Sequence, residues 1–163
     1  MNMRIIFFFL LIGFNSFGQS SDYQEMLKEH YNGFPTISCS AAARKVSDPK
    51  VAFIDTREKE EYNVSHIKNA LCVGYENFSI NSLSLIPKNA EIIVYCSVGI
   101  RSMDIGQRLK KAGYTNVKNL YGGFFQWNNS GLPKISSTGS LTSRIHGYSE
   151  DWGKWLTKGS IVY

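Results

Sequence analysis

Residues 91–102 of the chain read EIIVY-CSVGIRS, and this stretch decides the fold. Glu91–Tyr95 is an almost unbroken run of apolar and β-branched residues, which is typical of a strand buried on both faces. Beyond a short loop, the pattern predicts a helix from Ser102 to Ala112, because its apolar residues recur on one helical face before Gly113 ends it. A buried strand that passes through a loop into a helix is the building unit of α/β proteins.

Working outward from this unit, strands alternate with helical stretches along the rest of the chain. The predicted strands are Pro35–Ile37, Val51–Ile54, Ala70–Val73 and Val117–Leu120. The predicted helical stretches are Asp22–His30, Ala41–Val46, Glu58–Tyr62, Ser79–Ile86 and Phe124–Asn128. This alternation predicts an α/β fold with a central, mostly parallel five-stranded sheet and helices on both faces.

The composition excludes several classes of protein. With 163 residues, 43% of them hydrophobic and 19% charged, the chain is too apolar for a disordered protein and too mixed for a multi-span membrane protein. The net charge of +5 comes from scattered basic residues, so we expect no nucleic-acid interface. No motif predicts a metal site or a cofactor.

The first eighteen residues are predicted to be a signal peptide. Arg4 precedes an apolar run from Ile5 to Phe14, and small or polar residues follow up to Gly18. The run is about half of the ~20 residues that a membrane-spanning helix needs. We therefore expect cleavage before Gln19, export to the periplasm or the medium, and no membrane association afterwards.

The remaining chain divides into three predicted parts. Residues 19–35 form a helical lead-in, residues 36–133 form the α/β domain, and residues 134–163 form a polar linker and an aromatic tail. The tail contains Trp152 and Trp155, which we expect to pack back on the domain because large aromatic side chains are usually buried. We place them close to the loop that follows the strand Glu91–Tyr95. A tail that binds a partner is the alternative.

Three cysteines are too few for a disulfide scaffold, and their odd number leaves at least one thiol unpaired in an exported protein. Cys39 and Cys72 are interpreted as small buried residues. Cys96 is different because it follows the strongest predicted strand, and ligands of parallel sheets bind at the carboxyl ends of the strands.

The loop after Cys96 has the features of a site that activates a thiol. Backbone N–H groups and the dipole of the following helix bring partial positive charge to the sulfur, and Arg101 adds a full charge. Both favour the thiolate, which is the nucleophilic form. Gly99 permits the backbone angles that a cradle-shaped loop requires. A buried cysteine that happens to precede a helix is the alternative reading of the loop alone.

Two flanking motifs extend this pattern. Residues 55–67 fit D-x-R-x3-E-F/Y-x2-G/S-H-I, and residues 113–127 fit G-Y-x2-V-x2-L-x-G-G-x3-W. Together with the C-x2-G-x-R-S loop at residues 96–102, they make the chain from Thr36 to Pro133 resemble the rhodanese family of sulfurtransferases.

The resemblance implies that Cys96 takes a sulfane sulfur from a small anionic donor and carries it as a persulfide. The acceptor would be cyanide or a thiol, including a thiol protein of the thioredoxin-like type. By the same resemblance Arg101 holds the loop or the donor, and the substrate lies against the residues of the active loop, which are Ser97, Val98, Gly99, Ile100 and Ser102. The apolar Val98 and Ile100 suit a bulkier persulfide donor as well as thiosulfate.

The spacing of Cys96 and Arg101 also bears on a second enzyme class. Protein phosphatases of the same fold use C-x5-R, a wider loop sized for phosphate, whereas this chain has C-x4-R. The shorter loop favours a single sulfur atom over a tetrahedral phosphate. A rhodanese-like module that binds a partner or senses redox state without catalysis is the remaining alternative, and the retained cysteine, glycine and arginine favour the enzyme.

Three further motif residues are expected to shape the site. Asp55 and Arg57 lie at a strand end near the cleft, where this charged pair could help to shape the active loop. The alternative, which we favour, is a purely structural ion pair, with Arg57 and Glu61 at i, i+4. His66 is interpreted as a packing residue that fixes the loop, since nothing in the sequence pairs it with Cys96.

Overall fold

The computed structural model describes residues 21–31 and 33–163, so the predicted signal peptide and the first two residues of the lead-in lie outside the described residues. The helices of this part of the chain are α1 (Ser21–His30), α2 (Cys39–Ala43), α3 (Lys59–Val64), α4 (Ile100–Lys111), α5 (Gly123–Asn129) and α6 (Glu150–Gly153), with a 3₁₀ helix over Ile80–Leu83. The strands are β1 (Thr36–Ile37), β2 (Val51–Asp55), β3 (Leu71–Cys72), β4 (Glu91–Tyr95), β5 (Asn116–Leu120), β6 (Arg144–His146) and β7 (Ser160–Val162).

The main sheet of the described residues has five parallel strands in the order β1-β5-β4-β2-β3. This confirms the predicted sheet. β4 lies at its centre, between β2 and β5, so the residue that follows Tyr95 emerges at the middle of the carboxyl edge.

Alternation along β4 divides the core into two layers. Ile92 and Val94 pack with Ile105 of α4 on one face. Ile93 and Tyr95 belong to the layer on the other face, together with buried residues of α1, α2 and α5. Residues 92–95 of the central strand are therefore apolar because they are covered on both faces, as the sequence predicted.

Helix α4 begins at Ile100, two residues earlier than the predicted start at Ser102. Gly99 is the residue before the helix and has a φ of 102°. This left-handed conformation turns the chain directly into the helix and shortens the loop after Cys96. The active loop therefore runs straight into the first turn of α4.

Two other predicted helices have different bounds. Helix α2 starts at Cys39 and ends at Ala43, and Ser38 caps it by accepting a hydrogen bond from the amide N–H of Ala41. The predicted helix over 79–86 is only a 3₁₀ helix, and the side chain of Ser79 accepts a hydrogen bond from the amide N–H of Asn81 at its start. Local hydrogen bonding by serine side chains decides both starts.

The tail folds back on the domain, which confirms the predicted packing. β6 and β7 form a parallel pair that the sequence analysis did not predict. Ile145 and Leu156 are buried in the same layer as α1 and α5, and Trp152 and Trp155 pack against it. The ring of Trp155 lies 5.2 Å from that of Tyr23, centroid to centroid. In the described residues no helix has the length and apolarity needed to cross a bilayer.

Candidate active site

Cys96 emerges from the carboxyl end of β4 and is 1% exposed. The amide N–H of Gly99 donates a hydrogen bond to its Sγ at 3.1 Å. A Cβ on Gly99 would overlap the hydroxyl of Tyr31, so glycine is required by space as well as by its φ. The loop thus curls a backbone donor onto the sulfur.

Helix α5 holds the other side of the loop. The amide N–H of Phe124 donates to the Cys96 carbonyl at 2.8 Å, and that of Phe125 donates to the Ser97 carbonyl at 2.9 Å. A Cβ on Gly123 would lie 2.5 Å from the Cys96 carbonyl oxygen, so only glycine lets α5 come this close. These bonds fix the carbonyls of Cys96 and Ser97 on α5.

A charged cluster ties the loop to α3. Arg101 donates to both carboxylate oxygens of Glu61, each at 2.9 Å, and Ser97 Oγ donates to the same carboxylate at 2.9 Å. Arg101 also lies 3.1 Å from Ser97 Oγ. Burial alone would raise the pKa of Glu61, but the hydrogen bonds and charge of Arg101 lower it. Arg101 therefore holds the loop, one of the two roles that the sequence analysis considered.

Glu61 is a site residue that the sequence analysis did not assign to the loop. Its side chain also accepts from the amide N–H of Glu58 at 3.1 Å, as part of a capping box at the start of α3. The available signal was its fixed position in the first motif. The carboxylate thus accepts from four donors and links the start of α3 to the active loop.

The charged pair of Arg57 with Asp55 is confirmed, but the pairing of Arg57 with Glu61 is wrong. Arg57 instead forms a fully buried salt bridge with Asp55, with 2.6 Å between Nη2 and Oδ2, and it donates to the Ser65 carbonyl at 2.8 Å. Burial would lower the pKa of Arg57, but Asp55 raises it above its ordinary value. The guanidinium lies 4.2 Å from the ring centroid of Phe124. Because the Phe124 amide N–H binds the Cys96 carbonyl, the Asp55–Arg57 pair supports the loop through Phe124.

His66 lies between α3 and the start of the tail. Its ring stacks on that of Tyr62 at 3.6 Å, its Nδ1 lies 2.9 Å from the Tyr62 carbonyl, and its backbone pairs with Ile135. Burial lowers its pKa, which favours the neutral ring. These contacts are those of a packing residue.

Ser102 faces away from the pocket. Its hydroxyl donates to the Asn119 side-chain oxygen at 2.8 Å, and the Asn119 amide group donates to the Gly99 carbonyl at 2.8 Å. The two bonds join the first turn of α4 to β5. Ser102 therefore steadies the loop through Asn119, and a part in the cradle could come only from its backbone.

Tyr31 is a second residue that the sequence analysis missed. Its hydroxyl lies 3.0 Å from the Val98 carbonyl and 3.1 Å from the Leu120 carbonyl, and it accepts from the Gly122 amide N–H at 2.9 Å. Burial raises the pKa of Tyr31, so the hydroxyl keeps its proton. Tyr31, at the end of the lead-in, thus links the active loop to the end of β5 and the start of α5. No local sequence pattern marks this contact.

A pocket of about 130 Å³ lies over the sulfur. Five of the predicted loop residues line it, namely Cys96, Ser97, Val98, Ile100 and Arg101. Its other wall comes from the tail, from Tyr148 and Trp152. Trp152 was expected near the active loop, whereas Tyr148 was missed. Its ring lies 4.8 Å from the Arg101 guanidinium carbon.

The other two thiols lie in environments that disfavour the thiolate. Burial raises the pKa of Cys39 to about 12, and burial together with Asp55 raises that of Cys72. All three cysteines are free. Within residues 21–31 and 33–163, no group of three or more His, Cys, Asp or Glu side chains is placed to hold a metal ion.

Fold and site together define a class of protein: a parallel α/β domain whose central strand ends in a cysteine loop of the form C-x4-R. The family model described as Rhodanese-like domain matches residues 38–130. The chain belongs to the rhodanese-like domain family.

Curated relatives agree with this assignment. A sulfurtransferase of Allochromatium vinosum is 31% identical over 104 residues, which are 63% of this chain and 96% of the relative. The thiosulfate sulfurtransferase GlpE of Coxiella burnetii is 31% identical over 94 residues, covering 58% of this chain and 87% of the relative. Such relatives tie the family to sulfur transfer.

A solved structure supports the fold. The crystal structure of a thiosulfate sulfurtransferase from Pseudomonas aeruginosa superposes with a TM-score of 0.60 at 20% identity. The match covers 82% of this chain but only 26% of that one. At this level of identity the likeness concerns the fold alone.

Proposed function

We propose that the protein is an exported sulfurtransferase that carries a sulfane sulfur on Cys96 as a persulfide. The observation that carries the proposal is the placement of Cys96 Sγ at the base of a pocket, with the Gly99 amide N–H aimed at it from 3.1 Å. A backbone N–H that donates a hydrogen bond to the sulfur stabilises negative charge on it.

The chemistry proceeds in two balanced steps. The Cys96 thiolate attacks the outer sulfur of thiosulfate, forms a Cys96 S–S bond and breaks the bond to the sulfite sulfur, so that sulfite leaves and Cys96–S–S⁻ remains. A persulfide donor R–S–SH reacts in the same way and releases R–S⁻. Cyanide or a thiolate then attacks the outer sulfur, forming thiocyanate or a new persulfide and returning the Cys96 thiolate. No external oxidant or reductant is needed, because one neutral sulfur atom is transferred.

The surrounding residues support these steps by holding the loop. Arg101 and Glu61 hold the loop in place, and the bonds from α5 keep the Cys96 and Ser97 carbonyls fixed. The first turn of α4 starts beside the sulfur, where amide N–H groups lack helical acceptors and the helix dipole is positive. The C-x4-R spacing favours one added sulfur over phosphate.

The decisive experiment is intact-mass measurement of the purified protein after incubation with thiosulfate or an organic persulfide. We expect a gain of one sulfur atom that Cys96→Ser abolishes and that cyanide removes as thiocyanate. Cys72→Ser is the matched control and should keep the gain. If no donor adds a sulfur, the proposal is refuted and the non-catalytic module is favoured.

Export is proposed on the basis of residues 1–18, whose charged start, apolar run and small-residue end are those of a signal peptide. Expression of the full chain in a bacterial host tests it. We expect a periplasmic or extracellular product whose amino terminus is Gln19. A product that keeps Met1 and stays in the cytoplasm would contradict export and leave the sulfur chemistry untouched.

A further inference from the structure

The walls of the Cys96 pocket are apolar. Val98 and Ile100 line it from the loop and α4, and Tyr148 and Trp152 line it from the tail. We call the last two the aromatic wall. Cys96 is 1% exposed and lines this pocket, so we take the pocket as the route by which a donor reaches its sulfur.

The pocket also lacks a free positive charge. Among its lining residues in the described chain, Arg101 alone carries a formal charge. Its Nη1 and Nη2 groups already donate hydrogen bonds to the Glu61 carboxylate, each at 2.9 Å. The centroid of the Tyr148 ring lies 4.8 Å from the central carbon of the same guanidinium. A dianion such as thiosulfate would have to compete with the Glu61 carboxylate for this cation.

The backbone around Tyr148 holds this residue of the aromatic wall in place. Tyr148 has a φ of 66°, a conformation that costs a non-glycine residue energy and persists only where its surroundings enforce it. Its amide N–H donates to Nδ1 of His146 at 3.0 Å. Burial lowers the pKa of His146, so the ring is neutral and can accept this bond. The neighbouring Gly147 amide N–H bonds to the Val162 carbonyl of β7 at 2.8 Å.

We propose that the aromatic wall makes this site selective for persulfides with an apolar organic stem, R–S–SH, over thiosulfate. The inference rests on the proposed function. The Cys96 thiolate attacks the outer sulfur of R–S–SH, and a new S–S bond to Cys96 forms as the S–S bond of the donor breaks. R–S⁻ leaves, and the proton stays with the transferred sulfur, so that Cys96–S–SH remains. The stem R packs against Trp152 and Tyr148, whereas thiosulfate has no apolar group to bury there.

The test compares kcat/KM for benzyl persulfide and for thiosulfate, each with cyanide as acceptor. We expect the intact protein to favour benzyl persulfide by about tenfold or more, the range that one extra apolar contact in a pocket provides. In Trp152→Ala this ratio falls by about tenfold, and Trp152→Phe recovers much of it because a ring is restored. Tyr163→Ala is the control for a loosened tail, since Tyr163 is an exposed tail aromatic that does not line the pocket.

The outcomes separate the two proposals. Preference of the intact protein for thiosulfate, or an equal fall of both rates in Trp152→Ala, overturns the selectivity while the sulfur transfer stands. An equal change of the ratio in Tyr163→Ala also overturns it, because general loosening of the tail would then suffice. A protein that gains no sulfur from either donor overturns the proposed function itself.

Discussion

Replacing Glu61 by glutamine tests how the active loop is held. The carboxylate accepts hydrogen bonds from the Arg101 guanidinium, Ser97 Oγ and the Glu58 amide N–H. A glutamine side chain offers a single acceptor oxygen, so the donors on its other side face an N–H₂ group. If the oxygen takes the place of Oε1, one arm of Arg101 and the Glu58 amide lose their acceptor.

The cost follows from those two bonds. A lost bond from a charged donor costs about 2 kcal/mol and one from a neutral amide about 1 kcal/mol, so Glu61→Gln should lower the free energy of unfolding by about 3 kcal/mol at pH 7. This lies at the low end of the range for breaking a buried ion pair, as expected for an Arg101 side chain that is 17% exposed. Urea titration followed by circular dichroism measures the change, and Glu60→Gln on the exposed side of α3 is the matched control.

The pH dependence gives the refuting result. The pKa of Glu61 is lowered in the folded protein, so its stabilisation is complete above the ordinary value of 4.5 and is lost as the pH falls through the folded pKa. The difference between the parent chain and Glu61→Gln should therefore shrink as the pH falls below 4.5. A difference under about 0.5 kcal/mol at pH 7, or one that does not shrink in acid, would refute the ion-pair account.

Three other predictions concern the loop, its support and the tail. Gly99→Ala should destabilise the protein and slow sulfur loading more than Gly139→Ala, since both glycines have positive φ but only the first would drive a Cβ into Tyr31; thermal melts and intact-mass time courses measure this. Asp55→Asn should cost about 3–5 kcal/mol in urea titrations, because it leaves a fully buried guanidinium unpaired, whereas Asp104→Asn on the exposed surface should cost less than about 0.5 kcal/mol. Limited proteolysis should leave the packed tail attached to the domain, and its rapid loss would contradict the docking.

The sequence predicted the sheet and the position of the loop after Cys96 because both depend on local signals. Residues 92–95 are apolar on both faces, and the fixed residues from Cys96 to Ser102 stand close together in the chain. The predicted start of α4 lies two residues too late because the sequence does not show that Gly99 takes a left-handed conformation. Propensity places an element, but the backbone angles of one residue decide where it begins.

The side-chain partners could not be predicted in the same way. Spacing at i, i+4 suggested that Arg57 pairs with Glu61. In the structure Arg57 pairs with Asp55. The partner of Glu61 is Arg101, which lies 40 residues further along the chain. Both partners come from the carboxyl edge of the sheet, where parallel strands bring distant segments together. A spacing rule for an isolated helix does not include such competitors.

The support of the active loop extends beyond the part of the chain that the family model matches. Tyr31 lies before residue 38, and Tyr148 and Trp152 lie after residue 130. One braces the Val98 carbonyl from behind, and the other two line the pocket in front of the sulfur. The matched core therefore supplies Cys96 and its immediate cradle, while the flanking segments fix how rigid the loop is and which surface a donor meets. It follows that variants in the flanks should change donor preference and loading rate, whereas loss of Cys96 itself should abolish loading.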